Sequence, residues 1–351
     1  MPGRYDEVRR ELMREPRRWL VTGAAGFIGS HLAEELLRLG QTVVGLDDFS
    51  TGTRLNVGDL LAAVPDSRGR FRLRAGDVRN PRDCRDACAG VDYVLHHAAV
   101  ASVPRGLAEP GVLADVNVRG TVNVLHAARL AGVRRVVCAS SSAVYGDLRA
   151  PAQREDEVGT PLSPYALGKR EGELWGDLFG RVYGLPVVSL RYFNVIGPRQ
   201  DPAGPYAAVV PAWTRALLAG EPCVIHGDGA ATRDFIGVRA VVRANLLAAL
   251  APLGEGPHVF NVGSGHETSL TDLYALLRDA VAAVRPEAAW AAPVHDAPRP
   301  GEVRHSRADL SRGNAVLGYV PEPGLDVALA ETVRWHAARL PAPRVPSRAA
   351  A

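Results

Sequence analysis

The chain has 351 residues, 47% hydrophobic and 23% charged, the balance of a globular protein with ample apolar core. Its length allows two domains or one large α/β domain with an appendage. The net charge of +3 is small and the arginines are spread along the chain, so no nucleic-acid footprint is expected. No apolar run approaches the ~18 residues of a membrane span, and the charged residues 1–18 lack the apolar core of a secretory signal. Cys84, Cys88, Cys138 and Cys223 form neither a CxxC pair nor a secreted disulfide spacing. These features point to a cytoplasmic protein in a reducing setting, with no metal site and no membrane partner.

In chain order, Tyr5, Val8, Leu12 and Met13 share helical spacing and predict a short amphipathic helix within an N-terminal extension, residues 1–17. Strand-like apolar runs follow at Trp19–Thr22, Thr42–Leu46, Phe71–Ala75, Tyr93–His96, Arg135–Ala139 and Val187–Leu190. Helical patterns near 27–39, 81–89, 112–131 and 165–183 separate them. This alternation predicts an α/β fold, a Rossmann-type doubly wound parallel sheet covered on both faces. Beyond Leu190 the pattern is irregular and rich in Gly and Pro. The end, 338–351, is rich in Pro and Ala and predicts a disordered tail.

Forty of the forty-one basic side chains are arginine; the exception is Lys169, four residues after Tyr165. An ammonium is a compact point charge, a guanidinium a broad planar fork. A site that must fit one cation between a tyrosine hydroxyl and a cofactor ribose needs the former.

The first strand runs into Gly23-Ala24-Ala25-Gly26-Phe27-Ile28-Gly29 and then a helix. Glycines there let the backbone turn tightly and approach a pyrophosphate resting on the helix N-terminus. The spacing is GxxGxxG, one residue longer than the GxGxxG fingerprint. Asp47 stands at the end of the second strand, eighteen residues after Gly29. A carboxylate there accepts both adenosine ribose hydroxyls and repels a 2′-phosphate, favouring NAD over NADP; Asp48 is its neighbour and could share the role. Asp77, in Gly76-Asp77-Val78 after the third strand, is placed to meet the adenine.

Together with the glycine loop, His97-Ala98-Ala99, Ser140-Ser141-Ser142-x-x-Tyr145-Gly146, Tyr165-x-x-x-Lys169 and Arg191-Tyr192-Phe193-Asn194 resemble the extended short-chain dehydrogenases/reductases. Within them the chain resembles the nucleotide-sugar 4-epimerases over residues 4–337. The likeness is greatest to bacterial UDP-N-acetylglucosamine 4-epimerases, through the N-terminal helix, Ser102-Val103-Pro104-Arg105, Pro161-Leu162-Ser163-Pro164-Tyr165, Arg199-Gln200-Asp201-Pro202, Tyr206-Ala207-Ala208-Val209 and Val303-Arg304-His305-Ser306.

The resemblance implies an NAD site made by Gly23, Gly26, Phe27, Ile28, Asp47, Asp77, Val78, Ala98, Ala99, Asn117, Tyr165 and Lys169. It implies catalysis by Ser141, Tyr165 and Lys169. A UDP-sugar would be held by Ser102, Ser141, Ser142, Asn194, Gln200, Ala208, Val224, His226, Arg233, Arg299, Glu302 and Ser306. It further implies an NAD-binding domain of 18–190 plus about 230–262, a smaller discontinuous substrate domain of about 191–229 plus 263–337, and a homodimer through a four-helix bundle of helices 112–131 and 165–183.

A tyrosine titrates near pH ~10, so a neutral-pH base needs about 4 kcal/mol of help. The Lys169 ammonium and a positive nicotinamide both favour phenolate. Tyr165 then takes a sugar hydroxyl's proton, directly or through Ser141. Sugar dehydratases and decarboxylating relatives carry an acid near this serine; here Ser142 and Ala143 follow Ser141. With no acid to eliminate water, a 4-keto intermediate would rotate and be reduced from its other face, which is epimerisation.

On the substrate side, the resemblance assigns Asn194 and the bidentate donors of Arg233 and Arg299 to the diphosphate, and Val224–His226 to the uracil pocket. Two departures stand out: Glu302 replaces the usual aspartate, and Gly237 and Arg239 replace an aromatic and an acidic residue. Ser306 occupies a position that in glucose-restricted epimerases resembles a bulky tyrosine, so room for an N-acetyl group is expected, and with it UDP-GlcNAc/UDP-GalNAc. The rival expectations are a UDP-glucose or UDP-glucuronate 4-epimerase, a dehydrogenase that releases NADH, and a non-catalytic NAD-sensing protein on the same fold.

Overall fold

The computed structural model describes residues 3–67, 69–202, 208–254, 256–286, 292–298 and 303–340. Six strands come first: β1 (Arg18–Thr22), β2 (Thr42–Asp47), β3 (Phe71–Ala75), β4 (Tyr93–His96), β5 (Arg135–Ser141) and β6 (Val187–Tyr192). Outside their sheet lie β7 (Asn194–Ile196), β8 (Val224–His226), β9 (Thr232–Arg233) and β10 (Phe235–Gly237). The chain rejoins the sheet as β11 (His258–Val262), and β12 (Thr268–Ser269) and β13 (Val294–Asp296) follow. The seven-stranded sheet has the order β11-β6-β5-β4-β1-β2-β3 and is parallel throughout. Small pairs join β7 to β10 and β8 to β13 in parallel, and β9 to β12 antiparallel.

The helices are α1 (Arg4–Arg14), α2 (Phe27–Arg38), α3 (Arg54–Ala63), α4 (Pro81–Cys88), α5 (Val103–Ala108), α6 (Pro110–Ala114), α7 (Gly120–Leu130), α8 (Pro164–Tyr183), α9 (Val209–Ala219), α10 (Val238–Leu250), α11 (Leu270–Ala282), α12 (Ser311–Leu317) and α13 (Leu325–Ala337). Strands such as β4, buried at every position, are continuous apolar runs because helices cover both faces of the sheet. On one face α1, α2 and α10 pack through Leu12, Leu36 and Val241; on the other α4, α7 and α8 pack through Cys84, Val124 and Phe179. A separate core joins α9, α11 and α13 through Trp213, Leu277 and Val333. This is the expected doubly wound α/β fold.

Several details differ from the sequence reading, among them α3, which was not expected, and β6, which runs two residues past Leu190. The helix expected over 112–131 is α6 and α7 joined by a π-helical turn, Asp115–Arg119, a form frequent at functional sites. The strand expected to stop at Ala139 runs on to Ser141. Residues 338–340, expected to belong to a disordered tail, are instead described, with the Arg285 guanidinium donating to the carbonyls of Ala337 (3.2 Å) and Leu340 (2.8 Å); the rest of the expected tail, 341–351, lies outside the described residues. Cys84 and Cys88 are buried on α4, with Cys84 Sγ donating to Val78 O. Among the described residues no cluster of His, Cys, Asp or Glu could hold a metal ion, and no helix is long and apolar enough to cross a membrane.

Candidate active site

The crevice opens where β1 is flanked by β2 on one side and β4 on the other, the switch point of the doubly wound sheet. After Thr22 the chain turns at Gly23 with φ +71°, and its N–H donates to Leu46 O (2.8 Å). A side chain on Gly23 would sit 2.8 Å from Ala98 N, and one on Gly29 would land on the Gly23 carbonyl oxygen. Both positions therefore require glycine. Gly26 caps α2, which leaves Phe27 and Ile28 in a first turn whose N–H groups have no partner within the helix.

Asp47 is buried at the end of β2. Its Oδ2 accepts the Ala25 N–H of the glycine loop and its Oδ1 accepts the Phe49 N–H, each at 2.8 Å. Burial pushes its carboxyl up, and the two N–H groups pull it back. Each oxygen keeps a lone pair for a ribose hydroxyl. Asp48 is exposed and turned to Ser50 instead. Asp77 accepts the N–H (2.8 Å) and Nε (2.8 Å) of Arg79, which holds its carboxyl below the usual range, and its own N–H donates to Asp83. Val78 beside it is buried.

Ala98 and Ala99 follow β4, and Ala98 is held by a residue the sequence reading missed. Thr22 Oγ1 accepts the N–H groups of His97 and Ala98, both at 3.1 Å, and lies 2.7 Å from His96 Nδ1. Having accepted twice, the hydroxyl must donate to Nδ1, so the His96 proton sits on Nε2 and donates to Thr121 Oγ1 (3.0 Å). Thr121 in turn donates to Asn117 O (2.6 Å) in the π-helical turn. Burial pushes His96 down to about 3, so this chain runs through a neutral ring. The Asn117 side chain brackets Val100, accepting its N–H and donating to its carbonyl.

Ser141 ends β5 and its Oγ accepts the Ala143 N–H (3.1 Å). Across from it, Ser163 caps α8 and Pro164 occupies the first turn, which fixes the start of the helix one residue before Tyr165. Tyr165 lies close enough to Ser141 for the two to interact: burial pushes the phenol up, while the Ser141 hydroxyl opposes that shift. Lys169, one helical turn on, donates from Nζ to Ala139 O (2.7 Å) and stands 6.0 Å from the Tyr165 ring centroid. Burial pushes its ammonium down to about 8. The three residues converge as expected, but the protein alone does not lower the tyrosine: burial dominates, and the ammonium faces a carbonyl of β5.

Asn194, on β7, donates from N (2.9 Å) and Nδ2 (3.2 Å) to Asp234 O. Asp234, another residue missed in the sequence, is fully buried. Its carboxylate accepts Ser264 N–H (2.6 Å), Ser264 Oγ (2.7 Å), Gly265 N–H (3.0 Å) and Ala308 N–H (3.0 Å). One carboxylate thus gathers the segments bearing Asn194, Arg233 and Ser306, the last itself buried. Gln200 donates from Nε2 to Val195 O (3.2 Å), while its Oε1 is buried without a partner. Arg233 donates to Thr232 O (2.8 Å). Val224 and His226 are carried on a different strand pair, β8·β13, and His226 Nδ1 lies 3.3 Å from Ala297 O. Ser102 caps α5 through the Arg105 N–H, Ser142 opens the short turn after β5, and Ala208 is exposed at the start of α9. Arg299, Glu302, Tyr206 and Ala207 lie outside the described residues. The two departures after Arg233 are matters of packing: a side chain on Gly237 would press on Ala328 of α13 at 2.9 Å, and Arg239 pairs with Glu331 (2.7 Å).

The arrangement combines a loop shaped for a dinucleotide with a hydroxyl, a phenol and an ammonium able to take and return a proton. Residues 19–263 match the profile of the NAD dependent epimerase/dehydratase family. The UDP-glucose 4-epimerase of Mycolicibacterium smegmatis is 42% identical over 321 residues, covering 91% of this chain and 98% of that protein. The structure of a UDP-N-acetylglucosamine 4-epimerase from Methanobrevibacter ruminantium in complex with UDP-N-acetylmuramic acid superposes with a TM-score of 0.84 at 34% identity, covering 93% and 99% of the two chains. A UDP-glucose 4-epimerase of Thermus thermophilus in complex with NAD gives 0.78 at 32% identity, covering 92% and 100%.

Proposed function

The chain belongs to the NAD dependent epimerase/dehydratase family, its cofactor is NAD, and we propose that it is a UDP-sugar 4-epimerase that prefers the pair UDP-GlcNAc and UDP-GalNAc. The observation that carries this reading is the convergence of Ser141, Tyr165 and Lys169, with no acid following Ser141.

The cradle fits the cofactor: positions 23 and 29 have no room for a side chain, and Asp47 presents a fixed carboxylate at the end of β2. Gly23, Gly26, Phe27 and Ile28 would receive the pyrophosphate on backbone N–H groups, Asp47 the adenosine ribose, and Asp77 and Val78 the adenine. Ala98, Ala99, Asn117, Tyr165 and Lys169 would border the nicotinamide ribose. When bound, NAD⁺ supplies an acceptor for the C4 hydride and afterwards a donor of it. Ser141 orients the C4 oxygen, and Tyr165 takes its proton, directly or through Ser141, and later returns it. Lys169 favours the phenolate by its charge. Ser142 and Ala143 offer no proton to a leaving hydroxyl, so the 4-keto sugar turns and is reduced rather than dehydrated.

Asn194, Arg233 and Arg299 are proposed to hold the diphosphate, Val224 and His226 the uracil, and Ser102, Ser142, Gln200, Ala208 and Glu302 to line the remaining sugar-nucleotide surface. Ser306 leaves space for the acetamido group. The exposed Leu167, Leu174 and Val182 of α8, with Val112 and Leu130, support a homodimer through a four-helix bundle.

NMR of the purified protein with UDP-GlcNAc and no added cofactor tests the proposal; UDP-GalNAc should appear. Turnover of UDP-glucose alone would favour the second reading, which the M. smegmatis relative supports. Silence on UDP-GlcNAc, UDP-glucose and UDP-glucuronate with added NAD⁺ would overturn both.

A further inference from the structure

Behind Ser141 and Lys169 lies a buried ion pair to which the reaction as described assigns no part. Glu173, one turn beyond Lys169 on α8, is almost wholly enclosed, as is the Arg191 of β6 that pairs with it. Its Oε1 accepts Ser140 Oγ (2.6 Å) and Arg191 Nε (2.8 Å); its Oε2 accepts Arg191 Nη2 (2.9 Å) and Arg170 Nη1 (2.8 Å). The guanidinium of Arg191 also donates to Glu155 O (3.2 Å) and lies 4.8 Å over the ring of Tyr145. Stability is a weak reason for such an arrangement, because an apolar replacement of similar volume is often as good or better. What it ties together is more informative: Ser140 immediately precedes Ser141, and Glu173 shares a helix with Tyr165 and Lys169.

We infer that Glu173 is a positioning residue of the proposed reaction: by binding Ser140 and Arg191 from α8 it sets Ser141 against Tyr165 and holds a negative charge one turn below Lys169. The inference rests on the reading of Ser141, Tyr165 and Lys169 given above. The groups facing Lys169 are Tyr165 and Glu173 on its own helix, Cys138 on β5, and His96 and His97 at the end of β4. Burial pushes both histidines down to about 3 and the thiol up to about 12, so at neutral pH these three are uncharged. The Glu173 carboxyl is held below its usual range by Arg191, Ser140 and Arg170 against the opposing effect of burial, so it remains anionic there.

The test uses Ser140→Ala, Ser140→Thr and Glu173→Gln in the full chain. Ser140→Ala keeps the ion pair and removes only the tether to β5; kcat should fall about 10- to 100-fold with KM unchanged, the cost of a misplaced catalytic group. Ser140→Thr, which keeps the hydroxyl, should recover most of it. Glu173→Gln should bring the alkaline limb of the kcat profile to lower pH, because Lys169 loses an anion that favours its charged form. Wild-type kcat in Ser140→Ala, or an unmoved alkaline limb in a folded Glu173→Gln, would overturn the inference; if Glu173→Gln does not fold, Ser140→Ala decides. Should the wild type itself turn over no UDP-sugar, the proposed function fails, and the NMR titration of Lys169 in Glu173→Gln still reads the charge effect: an unchanged midpoint overturns it, a lower one supports it.

Discussion

Lys169 can be titrated by itself, because it is the one lysine in the chain. Protein made with ¹³Cε-labelled lysine should give a single ε-methylene resonance whose shift follows the protonation of that side chain. Burial is the main reason its midpoint falls from the ordinary 10.5 to about 8, against the pull of Glu173 in the other direction. At 1.36 kcal/mol per pH unit this fall corresponds to about 3 kcal/mol of preference for the neutral amine. The sign for stability follows: between pH 8 and 10.5 the unfolded chain holds a proton that the folded chain has released, so folding gains with pH across that window and the gain is lost as pH drops through 8. Lys169→Met lacks the group, and urea denaturation of the two proteins should differ in pH dependence by up to about 3 kcal/mol over the same window. A midpoint near 10.5 would mean that water reaches the ammonium freely. It would refute the argument that the site encloses a compact cation.

Three further outcomes are expected. Tyr165→Phe removes the proposed proton acceptor and should lower kcat by about 10²- to 10⁴-fold while the protein still carries NAD, measured by turnover and by cofactor released on denaturation. Ser306→Tyr should abolish turnover of acetylated sugars and spare UDP-glucose; loss of both would refute the reading that Ser306 makes room for the acetamido group. Asp234→Ala strips the acceptor from Ser264, Gly265 and Ala308 N–H groups, so the protein should lose about 3–5 kcal/mol in urea denaturation and bind UDP more weakly by calorimetry, with its NAD retained.

The first half of the fold was legible because its signals are local. The strands from β1 to β6 are apolar runs, or in β3 an alternating one, near helices with their own pattern, and the glycine loop and Tyr165-x-x-x-Lys169 are read within seven residues. The rest depends on contacts made at a distance. β11 returns to pair with β6 after more than sixty residues, and nothing local marks it as a sheet strand. α10 buries Val238, Val242, Ala240 and Leu247 on opposite sides, so it lacks the one-sided stripe that announces a helix. The π-helical turn at Asp115–Arg119 leaves the helical spacing nearly intact and is invisible as a pattern. Glu173 and Asp234 look like ordinary surface carboxylates until their partners, 18 and 74 positions away, are seen. The paired Arg79 beside Asp77 was likewise hidden among many arginines.

Asp234 also bears on how such a protein could change over time. Its bonds are to main-chain groups at 264, 265 and 308 and, through its own carbonyl, to Asn194; apart from the Ser264 hydroxyl and the Asn194 amide, none depends on what side chain a neighbour carries. Position 306 lies two residues from an anchored N–H, so its side chain can be exchanged while the backbone path around it is kept. The wall proposed to face the sugar is in that sense a replaceable part on a permanent frame. A lineage could then try new sugars by single substitutions without first having to rebuild the cleft.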